Sequence, residues 1–385
     1  MAAESLSLSR IRSEAETRTG LSDYGEAWFF EPMTALIDAW HSEAELSAAG
    51  VVLQRERMVH SLVNRLRLVD TIKRHPEILD EEISVAAVIV GLPRTGSTLF
   101  HRLLANSPAV SAIRWWETQS YAPFPDEVRG NPEGRRQHAV NVLQGFVEAG
   151  MMSIHPFSID APDEEIIILE QFSIGTGPEA NAYVPSFARW LTAYDHHPAY
   201  SDLKTILKLF QWQEPGRRGR RWVLKTPGHL PTLDVFLDVF PDATVISTHR
   251  DPIETVPSYC SMVVSLHGMA KEQVDQKAVG RFTAQRWSDF LNKYIAVRER
   301  VGSERFIDID YRDLLTDPMA QAKSVLARLG LPVTSTLEDA LAQWLAENAR
   351  DKRAPHEYSL EQFGLSADQL ARDFARYRQT FVTDR

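Results

Sequence analysis

The sequence contains only one cysteine, Cys260, among its 385 residues. A single cysteine excludes an internal disulfide, and scarce cysteine is typical of proteins that fold in a reducing cytosol. Long hydrophobic runs are also absent. No stretch approaches the roughly 18 consecutive apolar residues of a membrane-spanning helix, and the N-terminus lacks the apolar segment of a secretory signal. We therefore expect a cytoplasmic protein without a membrane span.

An excess of positive charge is missing as well. The chain has 42 lysines and arginines against 52 acidic residues, which gives a formal net charge of −10. Proteins that bind nucleic acids usually carry a cationic surface, so this balance argues against nucleic acid as the main partner. A local basic cluster can still hold a small anion. Because neither an internal repeat nor a low-complexity linker divides the chain, we predict one domain over residues 1–385.

The most informative stretch is Val85–Asn106. It begins with an apolar run, Val85–Val90, which is the pattern of a strand buried on both faces. Gly91 ends this run, a compact loop follows, and Ser97 begins a helix with apolar residues on one side. A strand, a short loop and a helix in this order bring backbone N–H groups and the positive end of a helix dipole to one point. The stretch therefore predicts a phosphate site.

The spacing of this loop, Gly91-x4-Gly96-Ser97-Thr98, is nearly that of the loop that binds nucleoside triphosphates. The lysine of that loop is missing, because Ser97 occupies its position, and a cation stands earlier instead, at Arg94. In nucleoside triphosphatases that lysine reaches the β- and γ-phosphates. We therefore expect a loop that binds one 5′-phosphate carrying a transferable group, without triphosphate cleavage.

The loop resembles the 5′-phosphosulfate loop of sulfotransferases that use 3′-phosphoadenosine-5′-phosphosulfate (PAPS). That loop usually follows the pattern P-[KR]-[ST]-G-[ST]-[ST], and the version with arginine is similar to a bacterial branch of the family. Every position is matched by Pro93, Arg94, Thr95, Gly96, Ser97 and Thr98. The resemblance implies that Arg94 and the N–H groups of residues 95–98 hold the 5′-phosphate.

A second segment resembles the same family. Lys225 follows a short apolar run and leads into Thr226-Pro227-Gly228-His229, which is similar to the K-[ST]-P-x-H pattern of the bacterial branch. The resemblance implies that Lys225 stabilises the charge that grows on the leaving phosphate and that His229 is the catalytic base. Imidazole suits that role because it titrates near neutral pH.

A third segment resembles the 3′-phosphate site of the family. Arg250 follows a predicted strand, and Ser258 lies eight residues later on the next helix. The planar fork of arginine binds phosphate in bidentate fashion. The family also carries a basic stretch before an H-x-Y-[ST]-L motif, which closes over the nucleotide. In this chain the corresponding cations are Arg350, Lys352 and Arg353.

Strands that alternate with helices predict an α/β fold with a P-loop-type parallel sheet and helices on both faces. Ligands of such sheets bind at the carboxyl ends of the strands. The residues that follow predicted strands are Gly91, Lys225, Arg250 and Asp310. Helical periodicity predicts an N-terminal extension over 1–80 and a single final helix over 367–381.

Residues 108–215 form a long insertion that is rich in aromatic side chains, and we expect it to be an acceptor-binding lid, since substrate pockets are mostly apolar. Its acids Glu164 and Glu165 either cap a helix or approach the reactive end of the cofactor. Together with His155 they are alternatives to His229 as the base.

The resemblance implies transfer of the sulfuryl group of PAPS to a hydroxyl of a small-molecule or lipid acceptor, with 3′-phosphoadenosine 5′-phosphate as the product. Positioning and electrostatics would dominate such a displacement, without a metal. Two alternatives remain open: a P-loop kinase or NTPase, and a catalytically inactive protein that keeps the fold for binding.

Overall fold

The computed structural model describes residues 6–148, 157–348 and 358–382. Within these ranges the centre of the protein is a five-stranded, fully parallel sheet with the strand order β2-β3-β1-β4-β5. The strands are β1 (Val85–Gly91), β2 (Val110–Ser111), β3 (Arg221–Lys225), β4 (Thr244–His249) and β5 (Phe306–Asp310). The predicted α/β fold is therefore confirmed. The sequence does not predict β2, because a strand of two residues has no periodicity.

The central strand is β1, which is buried at every residue. Val88 pairs with Leu224 of β3 on one side and with Val245 of β4 on the other. Its side chains alternate between two cores: Val88 belongs to one apolar cluster and Ile89 to the other. A continuous apolar run is thus required here, because both faces of the strand are covered.

The helices occupy four stretches of the chain. Before the sheet lie α1 (Leu8–Thr19), α2 (Phe30–Ser42), α3 (Ala48–Arg74) and a 3₁₀ turn (Pro76–Asp80). After β1 comes α4 (Ser97–Leu104). The insertion between β2 and β3 contains α5 (Trp115–Gln119), α6 (Glu133–Glu148), α7 (Ile166–Glu170), α8 (Gly177–Asn181), α9 (Pro185–Thr192), α10 (His197–Gln213) and a 3₁₀ turn (Pro215–Arg217). The later helices are α11 (Leu233–Val239), α12 (Pro252–Gly268), α13 (Gln276–Val301), α14 (Tyr311–Thr316), α15 (Pro318–Arg328), α16 (Ser335–Glu347), α17 (Ala367–Asp373) and α18 (Ala375–Phe381), with 3₁₀ turns at Pro227–Thr232, Ser303–Arg305 and Glu361–Phe363.

The prediction of one final helix over 367–381 is wrong. Phe374 leaves the helical region, with φ −106° and ψ 17°, and separates α17 from α18. Its ring is buried, so the break lets the chain place an aromatic side chain in the core. None of the helices in the described ranges has both the length and the apolar composition needed to cross a membrane.

The N-terminal helices and the insertion pack against each other. The ring of Trp28 lies 5.5 Å from that of Phe172, and its Nε1 donates to Asp202 at 2.9 Å. The buried Arg65 of α3 forms an ion pair with the same carboxylate at 2.7 Å. The N-terminal helices and the insertion therefore form one helical layer beside the sheet, and that layer carries the cavity described below.

Candidate active site

The loop between β1 and α4 depends on two glycines. Gly91 has φ +145° and Gly96 has φ +83°, in the region that L side chains rarely adopt. A Cβ at Gly91 would lie 2.4 Å from the carbonyl oxygen of Thr248, and one at Gly96 would lie 2.9 Å from the side chain of Leu314. Arg94 also has positive φ, at 71°. The loop is therefore held tightly between β4 and α14, with the first turn of α4 opening from it.

Thr95 fastens the loop from inside. Its buried hydroxyl donates to the carbonyl of Leu92 at 2.7 Å and meets the hydroxyl of Thr248 at 2.6 Å. Because these bonds occupy the Thr95 side chain, it contributes rigidity, and its backbone N–H is the group left for an anion. Ser97 and Thr98 follow on α4, with Gly96 at the N-cap position.

Lys225, the last residue of β3, joins this loop to the insertion. Its fully buried side chain donates from Nζ to Thr98 Oγ1 at 3.1 Å and forms an ion pair with Glu164. Its backbone N–H donates to Glu165 Oε2 at 3.0 Å. The hydroxyl of Thr226 donates to the other oxygen of Glu164 at 3.0 Å. The structure thus brings together Thr98, Lys225 and Glu164, which lie far apart in the sequence.

His229 is fully buried, and both of its ring nitrogens are bonded to protein groups. Nε2 lies 2.6 Å from Glu165 Oε1, and Nδ1 lies 2.6 Å from the hydroxyl of Tyr200. Because a carboxylate only accepts, Nε2–H donates to Glu165, while the Tyr200 hydroxyl meets Nδ1 and also lies 2.7 Å from the hydroxyl of Thr232. The ring thus supports Glu165, which in turn holds the backbone of Lys225. The sequence carries no signal for Tyr200, since its partner is 29 residues away.

A cavity of about 740 Å³ opens beside Lys225 and Glu164. Its wall includes Glu164, Thr98 and Arg94, as well as Thr226, Pro227 and Gly228, but His229 is not part of it. The remaining wall is mostly apolar and comes from the N-terminal helices, the insertion and α12. Examples are Trp40, Met58, Trp115, Phe146, Phe157, Tyr259, Met262 and Leu266.

The predicted 3′-phosphate residues lie beside the loop. Arg94 Nε donates to Ser258 Oγ at 3.2 Å, and Arg250 Nη1 donates to the carbonyl of Arg94 at 3.1 Å. The guanidinium of Arg250 lies 4.3 Å from the centre of the Tyr311 ring and is bonded to Glu254 at 2.6 Å. The two predicted phosphate-binding groups are therefore neighbours, with Arg94 between them.

The C-terminal helix anchors the turn that carries Arg250. His249 lies between the hydroxyl of Tyr377 at 2.9 Å and the carboxylate of Asp308 at 2.9 Å. Arg378 pairs with Asp251 at 2.9 Å. Sequence reasoning missed these contacts, which fix the turn from both sides of Arg250.

The structure does not describe every predicted site residue. His155, Arg350, Lys352 and Arg353 fall outside the described residues. Asp310 accepts from the backbone N–H of Arg312 at 2.8 Å at the start of α14, which is the bonding of a helix cap.

A phosphate-type loop at the carboxyl edge of a parallel sheet, with a lysine and an acid between that loop and a cavity, is the arrangement of a group-transfer enzyme. The family model described as "Sulfotransferase family" matches residues 87–335. This match covers more than half of the chain, so the protein belongs to the sulfotransferase family, as its loop predicts.

Proteins of mycobacteria are similar to it. The omega-hydroxy-beta-dihydromenaquinone-9 sulfotransferase Stf3 of Mycobacterium bovis is 29% identical over 357 residues, which span 88% of this chain and 84% of that protein. The crystal structure of sulfotransferase STF1 from Mycobacterium tuberculosis has a TM-score of 0.84 at 28% identity, over 96% of this chain and 98% of that chain. Sulfotransferase STF9 from Mycobacterium avium has a TM-score of 0.87 at 26% identity, over 98% and 97%.

Proposed function

We propose that this sulfotransferase uses PAPS and transfers its sulfuryl group to a hydroxyl of an apolar, lipid-like acceptor. The observation that carries the proposal is the position of the Lys225 ammonium group. It lies between Thr98 of the phosphate loop and Glu164 on the cavity wall. A cation at that junction can stabilise negative charge on the phosphate of the donor on one side and on the acceptor group on the other.

The residues present suit the two phosphates of PAPS. Residues 93–98 and Lys225 would hold the 5′-phosphate, because the loop combines backbone N–H groups, a helix N-terminus and two nearby cations. Arg250 and Ser258 would hold the 3′-phosphate, and their position next to Arg94 supports a single nucleotide reaching both groups. The roles of Arg350, Lys352 and Arg353 stay predictions.

When bound, PAPS supplies the sulfuryl group and a phosphate that leaves with the electrons of the broken S–O bond. Glu164 is the base in this proposal: it faces the cavity, and its carboxylate takes the proton that the acceptor hydroxyl gives up. Lys225 balances the charge of the departing phosphate. We assign His229 to positioning, since it is fully buried, is not part of the cavity wall and is bonded at both nitrogens to Tyr200 and Glu165.

The cavity supports an apolar acceptor. Its volume of about 740 Å³ lies within the range of small-molecule sites, and its wall is dominated by apolar side chains. The name of the Mycobacterium bovis relative describes an omega-hydroxy lipid as its substrate. We assign the acceptor wall to the N-terminal extension, 1–80, to the lid insertion, 108–215, and to α12.

The proposal is tested by incubating the protein with PAPS and a panel of long-chain primary alcohols, phenols and sterols, and by measuring sulfated products by mass spectrometry. We expect products from the long-chain alcohols. Thermal shift separates the alternative of a P-loop kinase, because a ligand that binds only the folded state raises the melting temperature. Stabilisation by ATP with Mg²⁺, without stabilisation by 3′-phosphoadenosine 5′-phosphate, would overturn the assignment. Binding of the latter without any product would support the inactive binding protein.

A further inference from the structure

One face of α3 places polar side chains on the otherwise apolar wall of the cavity. Gln54, Arg57 and Ser61 follow one another at helical spacing and all line the cavity. Gln54 is only 2% exposed, and within the described ranges its Nε2 has no hydrogen-bond partner. A buried amide donor without a partner is costly, because it has lost water without a replacement.

Arg57 is the charged member of this face. It is half-buried, and in the described part of the chain its guanidinium makes neither a hydrogen bond nor an ion pair. The acid whose charge acts on Arg57 is Glu170 of α7, which also lines the cavity. Burial lowers the pKa of Arg57, and attraction to Glu170 opposes that change.

Glu170 is held in place from the insertion side. Asn181 donates to its Oε2 at 3.4 Å, and a Cβ at Gly177 would lie 2.0 Å from the same oxygen. The carboxylate therefore fits into the space that the glycine leaves. Burial raises the pKa of Glu170 to about 7, so it carries a proton for part of the time near neutral pH.

We propose that Arg57, Gln54 and Glu170 form a second polar subsite of the cavity, which binds an additional hydroxyl group of the acceptor, remote from the one that is sulfated. This inference depends on the proposed function and narrows it: the acceptor is a molecule with an apolar body and oxygen functions at both ends. Glu164 contacts Lys225 and Thr226, whereas Glu170 lies against Asn181 and Gly177, so the two acids have different neighbours on the cavity wall.

A hydroxyl satisfies this subsite better than an anion does. It accepts a hydrogen bond from Arg57 or Gln54 and donates one to Glu170. A carboxylate can accept from the first two, but it is repelled whenever Glu170 is ionised, whereas a hydroxyl can pair with either form of that acid. The subsite therefore favours a neutral oxygen group, and it disfavours a purely apolar end, which would leave Arg57 buried without a partner.

Matched acceptors test the inference: α,ω-alkanediols, 1-alkanols and ω-hydroxy fatty acids of equal chain length, each with PAPS and the full-length protein. We expect the wild type to prefer the diol over the 1-alkanol by about 10-fold or more in kcat/KM, after correction for its second reactive hydroxyl, as is usual for a hydrogen bond to a charged group. Arg57→Met should remove this preference, mainly through KM. Gln54→Leu should reduce it and serves as a second variant if Arg57→Met does not fold.

Arg74 provides the matched control. It lies on the same helix and pairs with Asp70, and neither residue lines the cavity. Arg74→Met should keep the preference for the diol. Equal use of diol and 1-alkanol by the wild type, a preference that survives Arg57→Met, or a higher kcat/KM for the fatty acid would each overturn the inference while leaving the proposed function intact. If no alcohol is sulfated, the proposed function fails and the inference fails with it.

Discussion

The ammonium group of Lys225 donates to the hydroxyl of Thr98 and forms an ion pair with the carboxylate of Glu164. One side chain thus joins the phosphate loop to the acceptor cavity. A phosphate on the loop would compete with Glu164 for Lys225, because both are anions within reach of one cation. Binding of the donor would then loosen the carboxylate and make it a better proton acceptor.

Replacing Lys225 by methionine should lower kcat by about 10²–10³-fold, since it removes one donor to the charge of the leaving phosphate. The affinity for 3′-phosphoadenosine 5′-phosphate, measured by calorimetry, should fall much less. Lys208→Met is the control, because within the described ranges the Lys208 ammonium bonds only to the carbonyl of Leu79, and Lys208 is not part of the cavity wall. A kcat that is unchanged in Lys225→Met would remove this residue from the mechanism.

Glu164→Gln should lower kcat by about 10²–10⁴-fold, the usual contribution of a positioned base, while nucleotide affinity is retained. His229→Asn should behave differently, because it breaks buried bonds to Tyr200 and Glu165 and so lowers the melting temperature as well as kcat. The pH–rate profile of both variants separates the roles. Loss of the acidic limb in His229→Asn but not in Glu164→Gln would return the base to the histidine.

Removing the predicted 3′-phosphate ligands should abolish recognition of that phosphate alone. Arg250→Met is expected to weaken binding of 3′-phosphoadenosine 5′-phosphate by about 10–100-fold, as for the loss of a charged hydrogen bond. Adenosine 5′-monophosphate, which lacks the 3′-phosphate, should bind equally to both proteins. Ser258→Ala should show the same pattern with a smaller change. Equal weakening for both nucleotides would place the 3′-phosphate elsewhere.

Glu170 should make the stability of the protein fall as the pH rises. Burial raises the pKa of this carboxyl from 4.5 to about 7, so the folded protein holds a proton that the unfolded chain has already released. The stabilisation is complete below pH 4.5 and is lost as the pH rises through 7. Between these values the wild type should lose on the order of 3 kcal/mol of unfolding free energy more than Glu170→Gln. Urea titrations measure the difference, with the exposed Glu31→Gln as the control; parallel wild-type and Glu170→Gln curves would contradict it.

Much of the fold was predictable because its signals are local. The strand at Val85–Val90 and the glycine loop after it are contiguous, and the motifs at Lys225 and Arg250 follow strands in the same way. The sheet then brings the carboxyl ends of these strands to one edge. Parallel topology requires this arrangement, although the spacing of the motifs in the sequence does not show it.

The chemistry around His229 was not predictable from such signals. Its partners Tyr200 and Glu165 come from the insertion, whose weak periodicity gives no register against the sheet. A motif can match a family residue by residue and still leave open whether a side chain faces the cavity or the core. The sequence does not single out Arg57 and Glu170 either, since each has the pattern of an ordinary charged residue of a helix.

The most direct test of this account is a crystal structure of the protein with 3′-phosphoadenosine 5′-phosphate. We expect its 5′-phosphate against Arg94, the N–H groups of residues 95–98 and the Lys225 ammonium, and its 3′-phosphate on Arg250 and Ser258. A nucleotide that leaves either group of residues without a phosphate, or that binds away from Lys225, would contradict the account.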